Sequence, residues 1–489
     1  MTKIRWSFVG GVFVTITFLT LLAIHLEIFR KNPDPLPVQS AAVQRPAETW
    51  MNIYQNYKKI GVVHRTFTAA DKGFHFTEKV FMQINTLGVI QPINISTKGD
   101  LNADMTVSSF NFDLTSSLFR FNAHGYVANN KLFLFTGLPD AQQKSEIPLN
   151  VIPHMSGSIY DAAFRANLEK DMSRNFSIFD PSTLAMRSIK VTRQADEIIP
   201  VLGKRILAQK YCADFMGVNT CAWIGKEGEV LKETGIMGLS LEKVSPEKAQ
   251  EGIAQEGSID LALIASIPAD VKIDGAESLK QLKIKISDMG GIFHQLNGGR
   301  QSFRKGVLTI TREQIPSSTA QSPVRELPPD ITFFLQPSPL VQANHPQMKE
   351  QVDKIIKPGD LPEQKIRKIV SWVYRHVEKK PVVSVPNALE VLKNRVGDCN
   401  EHAVLTAALL RTAGIPAQIE TGLIYMRGRF YYHAWNIAYC GDWITVDAVF
   451  NQFPADVTHI RLVRGEGSEQ LDLVGVMGKI KLEILEQTK

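Results

Sequence analysis

Cysteine is scarce in this chain, four in 489 residues, which excludes the small secreted scaffolds whose fold is carried by disulfides. Charge of one sign is scarce too. Lys and Arg number 55 against 49 Asp and Glu, an excess of only +6, too little over this length for the basic surface a nucleic-acid binder needs. No nucleotide-binding glycine fingerprint and no calcium loop of the D-x-D-x-D-G-x5-E pattern occurs, so the expected activity uses no cofactor. Repeats at solenoid or propeller periods are absent as well. What remains is ordinary for a folded chain: 44% hydrophobic and 21% charged residues, with 33 Gly and 25 Pro, at a length that suggests about three domains.

Long apolar runs are rare, with one exception. Trp6 to Leu26 is free of formal charge and long enough to span a bilayer as a helix. Phe8, Val9, Val12, Phe13, Ile16, Phe18, Leu19, Leu21 and Leu22 leave no polar stripe, and no small-residue cleavage site follows closely. Residues 1–31 are therefore expected to be an uncleaved transmembrane anchor. Lys3 and Arg5 before the run and Arg30 and Lys31 after it give a modest bias toward a cytoplasmic N-terminus, which puts the bulk of the chain outside the cytoplasm. Cys212 and Cys221, nine apart, either close a hairpin disulfide suited to that compartment or stay as two reduced, half-buried strand thiols.

Residues 32–48 have a Pro-rich linker composition. From 49 to 250, short apolar runs are punctuated by Gly, Asn and Asp, with Asn129-Asn130 and Glu227-Gly228 where tight turns belong. This reads as an antiparallel, β-rich domain. A second β-rich block is expected over 251–316, where LKQLKIKIS and GVLTITRE alternate. Residues 317–340 read as a second linker and 341–489 as a C-terminal domain. That domain has a helix after Pro362, with Ile366, Ile369, Val370, Val373 and Val377 on one face.

The chemistry concentrates in the C-terminal domain. Asp398 and Glu401 have capping-box spacing and open a helix at Cys399, which runs apolar to its stop at Gly414 and Pro416. A cysteine in the first turn meets the positive end of the helix and its unsatisfied N–H groups, which favour a thiolate. Asp398 opposes this, so a nearby imidazole is required. His433 lies mid-strand shortly after, and Asp447 on the following strand could hold its tautomer.

Together the residues resemble the transglutaminase-like superfamily, a branch of the papain-like cysteine enzymes. The resemblance rests on Gly397-Asp398-Cys399, on Arg411-Thr412-Ala413-Gly414-Ile415-Pro416-Ala417, on His433-Ala434-Trp435 and on Trp443-Ile444-Thr445-Val446-Asp447. It covers about 345–460. Ala448 stands where a Pro is common and Gln418 where a basic residue is usual.

The resemblance implies Cys399 as nucleophile, His433 as base and Asp447 as orienting acid, in a cysteine peptidase, amidase or acyltransferase acting on protein or peptide in the periplasm or outside the cell. The expected architecture is α+β: a transmembrane helix, a β-rich antiparallel middle region, and a domain whose Cys-bearing helix packs on an antiparallel sheet. The rival is a catalytically silent envelope scaffold or binding protein. Zinc ligation by Cys399, His402, His433 and Cys440 is disfavoured, because His433 and Cys440 are an odd number of residues apart on one strand. Finally, His433 and Asp447 share a sheet face only if the turn at Gly441-Asp442 has odd length, as a three-residue loop pairing Tyr439 with Trp443 has, or if a bulge intervenes between the strands.

Overall fold

A computed structural model of the chain describes residues 47–137, 142–215, 218–253, 260–289, 295–316, 327–466, 473 and 476–489. The expected anchor, all but two residues of the first linker and the first part of the second linker lie outside these residues.

The α+β expectation with a transmembrane helix is corrected: the described residues are mostly β, 48% strand and 20% helix, and contain one very large sheet. Among the described residues no helix is long and apolar enough to cross a membrane. The longest, Pro362–His376, has 15 residues, short of the roughly 20 a bilayer requires. Helical periodicity is confined to short pieces, whereas period-two alternation extends through most of the chain.

The large sheet has 16 strands between Ala47 and Val244. Its first half is an antiparallel meander in which each strand pairs with the next, because the turns between them are short and chemically suited. Asn129 and Asn130 both adopt positive φ, +51° and +55°, and join Arg120–Ala128 to Lys131–Thr136 with Ala128 opposite Lys131. Asn tolerates the left-handed region that such a two-residue turn demands. The sheet curls: the edge strand His154–Met155 reaches back to the meander, where Val107 N–H donates to the Pro153 carbonyl at 2.8 Å and Thr106 bridges His154. Cys212 and Cys221 are directly opposed in a hairpin and are joined as a disulfide.

The region that positions the chemistry is built from helices α1 (Pro346–Ile355), α2 (Pro362–His376), α3 (Ala388–Asn394) and α4 (Cys399–Thr412), with strands β1 (Ala417–Met426), β2 (Arg429–Tyr439), β3 (Trp443–Val446) and β4 (Ile460–Arg464). Every residue of α4 from Glu401 to Arg411 is buried. The other three helices pack around it on one side, and β1 and β2 contact it on the other. Removing this much aliphatic surface from water is the main force holding the layer together.

Strand pairing runs across the stretch expected to separate the second β block from the C-terminal domain. Ile267–Pro268 extends the β1–β2–β4 sheet by pairing with the start of β2. Gln281–Ser287 pairs with Lys481–Thr488 in a separate four-stranded sheet. Arg300 donates to the carbonyls of Ala455 (2.7 Å) and His459 (3.0 Å). From the large sheet, Phe119 enters the core around α4 and Gln91 bonds the Pro381 carbonyl at 2.9 Å.

Candidate active site

The start of α4 is held as its spacing predicts. The Asp398 carboxylate accepts from Asn400 N–H at 2.9 Å and Glu401 returns the bond to Asp398 N–H at 2.9 Å, with the Ser384 hydroxyl donating to the same Glu401 side chain. Gly397 is dictated by packing: a Cβ there would lie 2.2 Å from the Glu401 Cβ. At the far end Gly414 turns the chain with φ +78°. The buried Arg411 donates Nε and Nη2 to the Ala417 carbonyl at 3.0 and 2.9 Å, which fixes where β1 leaves the helix.

The β2–β3 hairpin has the three-residue loop Cys440-Gly441-Asp442, with Tyr439 opposite Trp443 and Asn436 opposite Val446. Gly441 takes φ +102°, a conformation that L side chains avoid. This odd loop puts His433 and Asp447 on one face. The ladder ends at Val446, and Asp447 starts a turn closed by its backbone bonds with Gln452. Opposite His433 on β1 stands Gly422, where a Cβ would meet the Ile460 carbonyl oxygen at 1.9 Å. Only Gly allows β4 that close.

His433 Nε2 lies 2.7 Å from Asp447 Oδ2, which leaves Nδ1 for a thiol. Asp447 is fully buried. Its other oxygen accepts from Val449 N–H at 2.6 Å and Phe450 N–H at 3.4 Å. Burial disfavours its charge, but His433 and His459 outweigh that and hold the carboxyl well below the usual carboxylate range.

Cys399 is half-buried and shares with His433 a cavity of about 280 Å³. Aliphatic groups of Leu340, Val341, Val404 and Ile419 line it, and Ser182 and Thr183 from a turn of the large sheet complete one side. Burial first, then the Asp398 carboxylate, push the thiol well above its ordinary value, and the Ala434 backbone opposes them only in part. The helix terminus alone therefore does not activate Cys399.

The zinc alternative finds no support in the geometry. Cys440 is buried in the core around α4, its thiol pushed up to about 11 chiefly by burial. His402 bonds its own helix, Nδ1 to the Asp398 carbonyl at 2.6 Å. Among the described residues, the His, Cys, Asp and Glu donors that converge within 4.8 Å are those of His433, Asp447 and His459. Both imidazoles aim Nε2 at the same Asp447 oxygen, and this arrangement reads as a hydrogen-bonded relay rather than a cation site.

His459 and its partner Asp456 are the site residues that sequence reasoning missed. The one local signal is Asp456-Val457-Thr458-His459, a turn in which Asp456 accepts from Thr458 N–H at 2.8 Å. Nothing in it points to a carboxylate 12 residues earlier.

Residues 349–448 match the sequence profile of the transglutaminase-like superfamily. No curated protein matches the chain in sequence. Among solved structures, a candidate cysteine protease from Cytophaga hutchinsonii is 19% identical, covering 42% of this chain and 86% of its own, with a TM-score of 0.28. A β-barrel-like protein of domain of unknown function DUF1849 from Brucella abortus is 11% identical, covering 41% and 96%, with a TM-score of 0.32. A DUF1089 family protein from Pseudomonas aeruginosa is 10% identical over 36% and 92%, with a TM-score of 0.25.

Proposed function

Given that the chain carries a transglutaminase-like domain over residues 349–448, we propose that it is a thiol enzyme performing acyl transfer at an amide carbonyl with Cys399, His433 and Asp447. The observation that carries this reading is the 2.7 Å bond from His433 Nε2 to buried Asp447 beside a cavity that both His433 and Cys399 line. Nδ1 of His433 takes the thiol proton and the sulfur bonds to the carbonyl carbon, whose oxygen becomes the oxyanion. The imidazolium returns its proton to the leaving amine as the C–N bond breaks, giving a thioester. Water, deprotonated by His433, then releases the acid and the free thiol. An amine in place of water would give transfer. Hydrolysis is the simpler outcome, on a protein or peptide whose acyl portion rests against aliphatic side chains.

A second reading, a silent scaffold, has one observation in its favour: burial and the neighbouring carboxylates oppose ionisation of Cys399. Alkylation of Cys399 by iodoacetamide at graded pH separates the two. The enzyme reading expects reaction below pH 7 that His433→Ala abolishes; reaction only near pH 8–9, as for an ordinary thiol, and unaffected by His433→Ala, sinks it. Location outside the cytoplasm is part of the proposal, supported by the Cys212–Cys221 disulfide, since such bonds persist in oxidising compartments. Fractionation with thiol labelling before and after reduction tests it.

A further inference from the structure

His459 sits beside the proposed triad without a part in it. We infer that His459 is a positioning residue: a fixed second imidazolium on Asp447 that sets the pH range over which the Cys399–His433 pair reacts. The inference rests on the triad reading and concerns how that triad is tuned.

The geometry is specific. His459 is wholly buried. Its Nε2 lies 2.9 Å from Asp447 Oδ2, the oxygen His433 also uses. Its Nδ1 faces Asp456 Oδ1 at 3.4 Å. An imidazole with a carboxylate at each nitrogen donates from both, and is therefore a cation. The ring cannot swing away. The Trp435 ring packs edge-on against it at 5.1 Å, Arg300 holds its carbonyl, and Asp456 is itself fixed by Thr458 and by Gln452 Nε2 at 2.9 Å. Burial opposes the charge, but the two carboxylates outweigh it and raise His459 to about 9.

The other charges nearby do not duplicate this role. Arg300 is ion-paired with Glu313 at 3.6 Å. Lys379 faces Asp447 from the segment before α3 but donates to the Tyr374 carbonyl at 2.8 Å. His402, from α4, also senses Asp447, and burial lowers its basicity. Asp398 and Glu401 act on the thiol with the opposite sign. His459 is thus the cation that directly shares the carboxylate oxygen with His433. With it in place, the negative charge of Asp447 is divided between two imidazoles. Without it, the full charge bears on the reacting pair. The thiol then loses its proton at higher pH.

The test is the pH profile of Cys399 alkylation in the full chain, read by peptide mapping, for the wild type, His459→Gln, Asp456→Asn and His433→Ala. His459→Gln keeps an amide that can donate to Asp447 and removes the charge. Asp456→Asn leaves the ring in place and removes one of its two carboxylates. The His459→Gln profile should move up by about one pH unit, a roughly tenfold loss of rate at a fixed pH on the rising limb, and the Asp456→Asn profile, which loses a negative charge as well, by less. A merely structural His459 would lower the melting temperature and leave the profile where it was. Unmoved profiles in a wild type that still depends on His433 overturn the inference and spare the triad; a wild type indifferent to His433→Ala overturns the triad reading and this inference with it. If His459→Gln fails to fold, the His459→Asn profile decides by the same criterion.

Discussion

Asp447 receives four hydrogen bonds, two from imidazoles and two from backbone N–H groups. Truncating it to Ala would leave those donors unpartnered in the interior and the His459 imidazolium with only one of its two carboxylates. Asp447→Ala should therefore lose about 3–5 kcal/mol in urea denaturation, whereas Cys399→Ala, at a half-buried position, should stay within about 1 kcal/mol. His459 makes a pH prediction. Its pKa is raised in the folded protein to about 9 from 6.5, so its contribution is fully present below about pH 6.5 and is lost as pH rises through 9. Asp447 and Asp456, depressed by their partners, contribute with the opposite sense: their part is present above the usual carboxylate range and fades as pH falls below it. The difference in stability between wild type and His459→Gln should accordingly shrink between pH 6.5 and 9. At this scale the placement of Cys399 at a helix start and of His433 beside Asp447 was legible, because each lies in a short motif with its own local geometry. His459 was not, because an isolated histidine at the head of a strand looks the same whether it meets a carboxylate or a packed ring.

The elements around the site were legible where turn and cap chemistry is local. Helix α4 follows from Asp398 and Glu401 at one end and Gly414 and Pro416 at the other, and the odd β2–β3 loop from the need to align two side chains. That loop is open to a direct test. Deleting Gly441 leaves a two-residue turn and slips β3 by one position, carrying Asp447 to the opposite face of the sheet. The variant should keep its far-ultraviolet circular dichroism and lose the dependence of Cys399 alkylation on His433; full retention of that dependence would show that the register does not matter. The close approach of β4 over Gly422 was not legible, because a lone Gly in a strand does not say which backbone comes near it.

Over the whole molecule, the antiparallel meander could be read from its turns, while the curl of the large sheet and the β character of the chain as a whole could not. Both depend on contacts between segments far apart in sequence. The strand Ile267–Pro268, the Arg300 guanidinium and Gln281–Ser287 all complete the region that bears Cys399. A fragment beginning at 341 should consequently aggregate when expressed, and one beginning at 257 should be more soluble, as judged by gel filtration. The same pairing has a consequence in time. Lys283 and Glu486 bond across strands although 203 positions separate them in the chain, whereas the meander joins neighbours. Closing so long a loop before any contact rewards it is slow. In a refolding experiment from urea, strand signal from the meander should therefore return first, and protection of the interior around Cys399 should lag behind it as a separate, later phase.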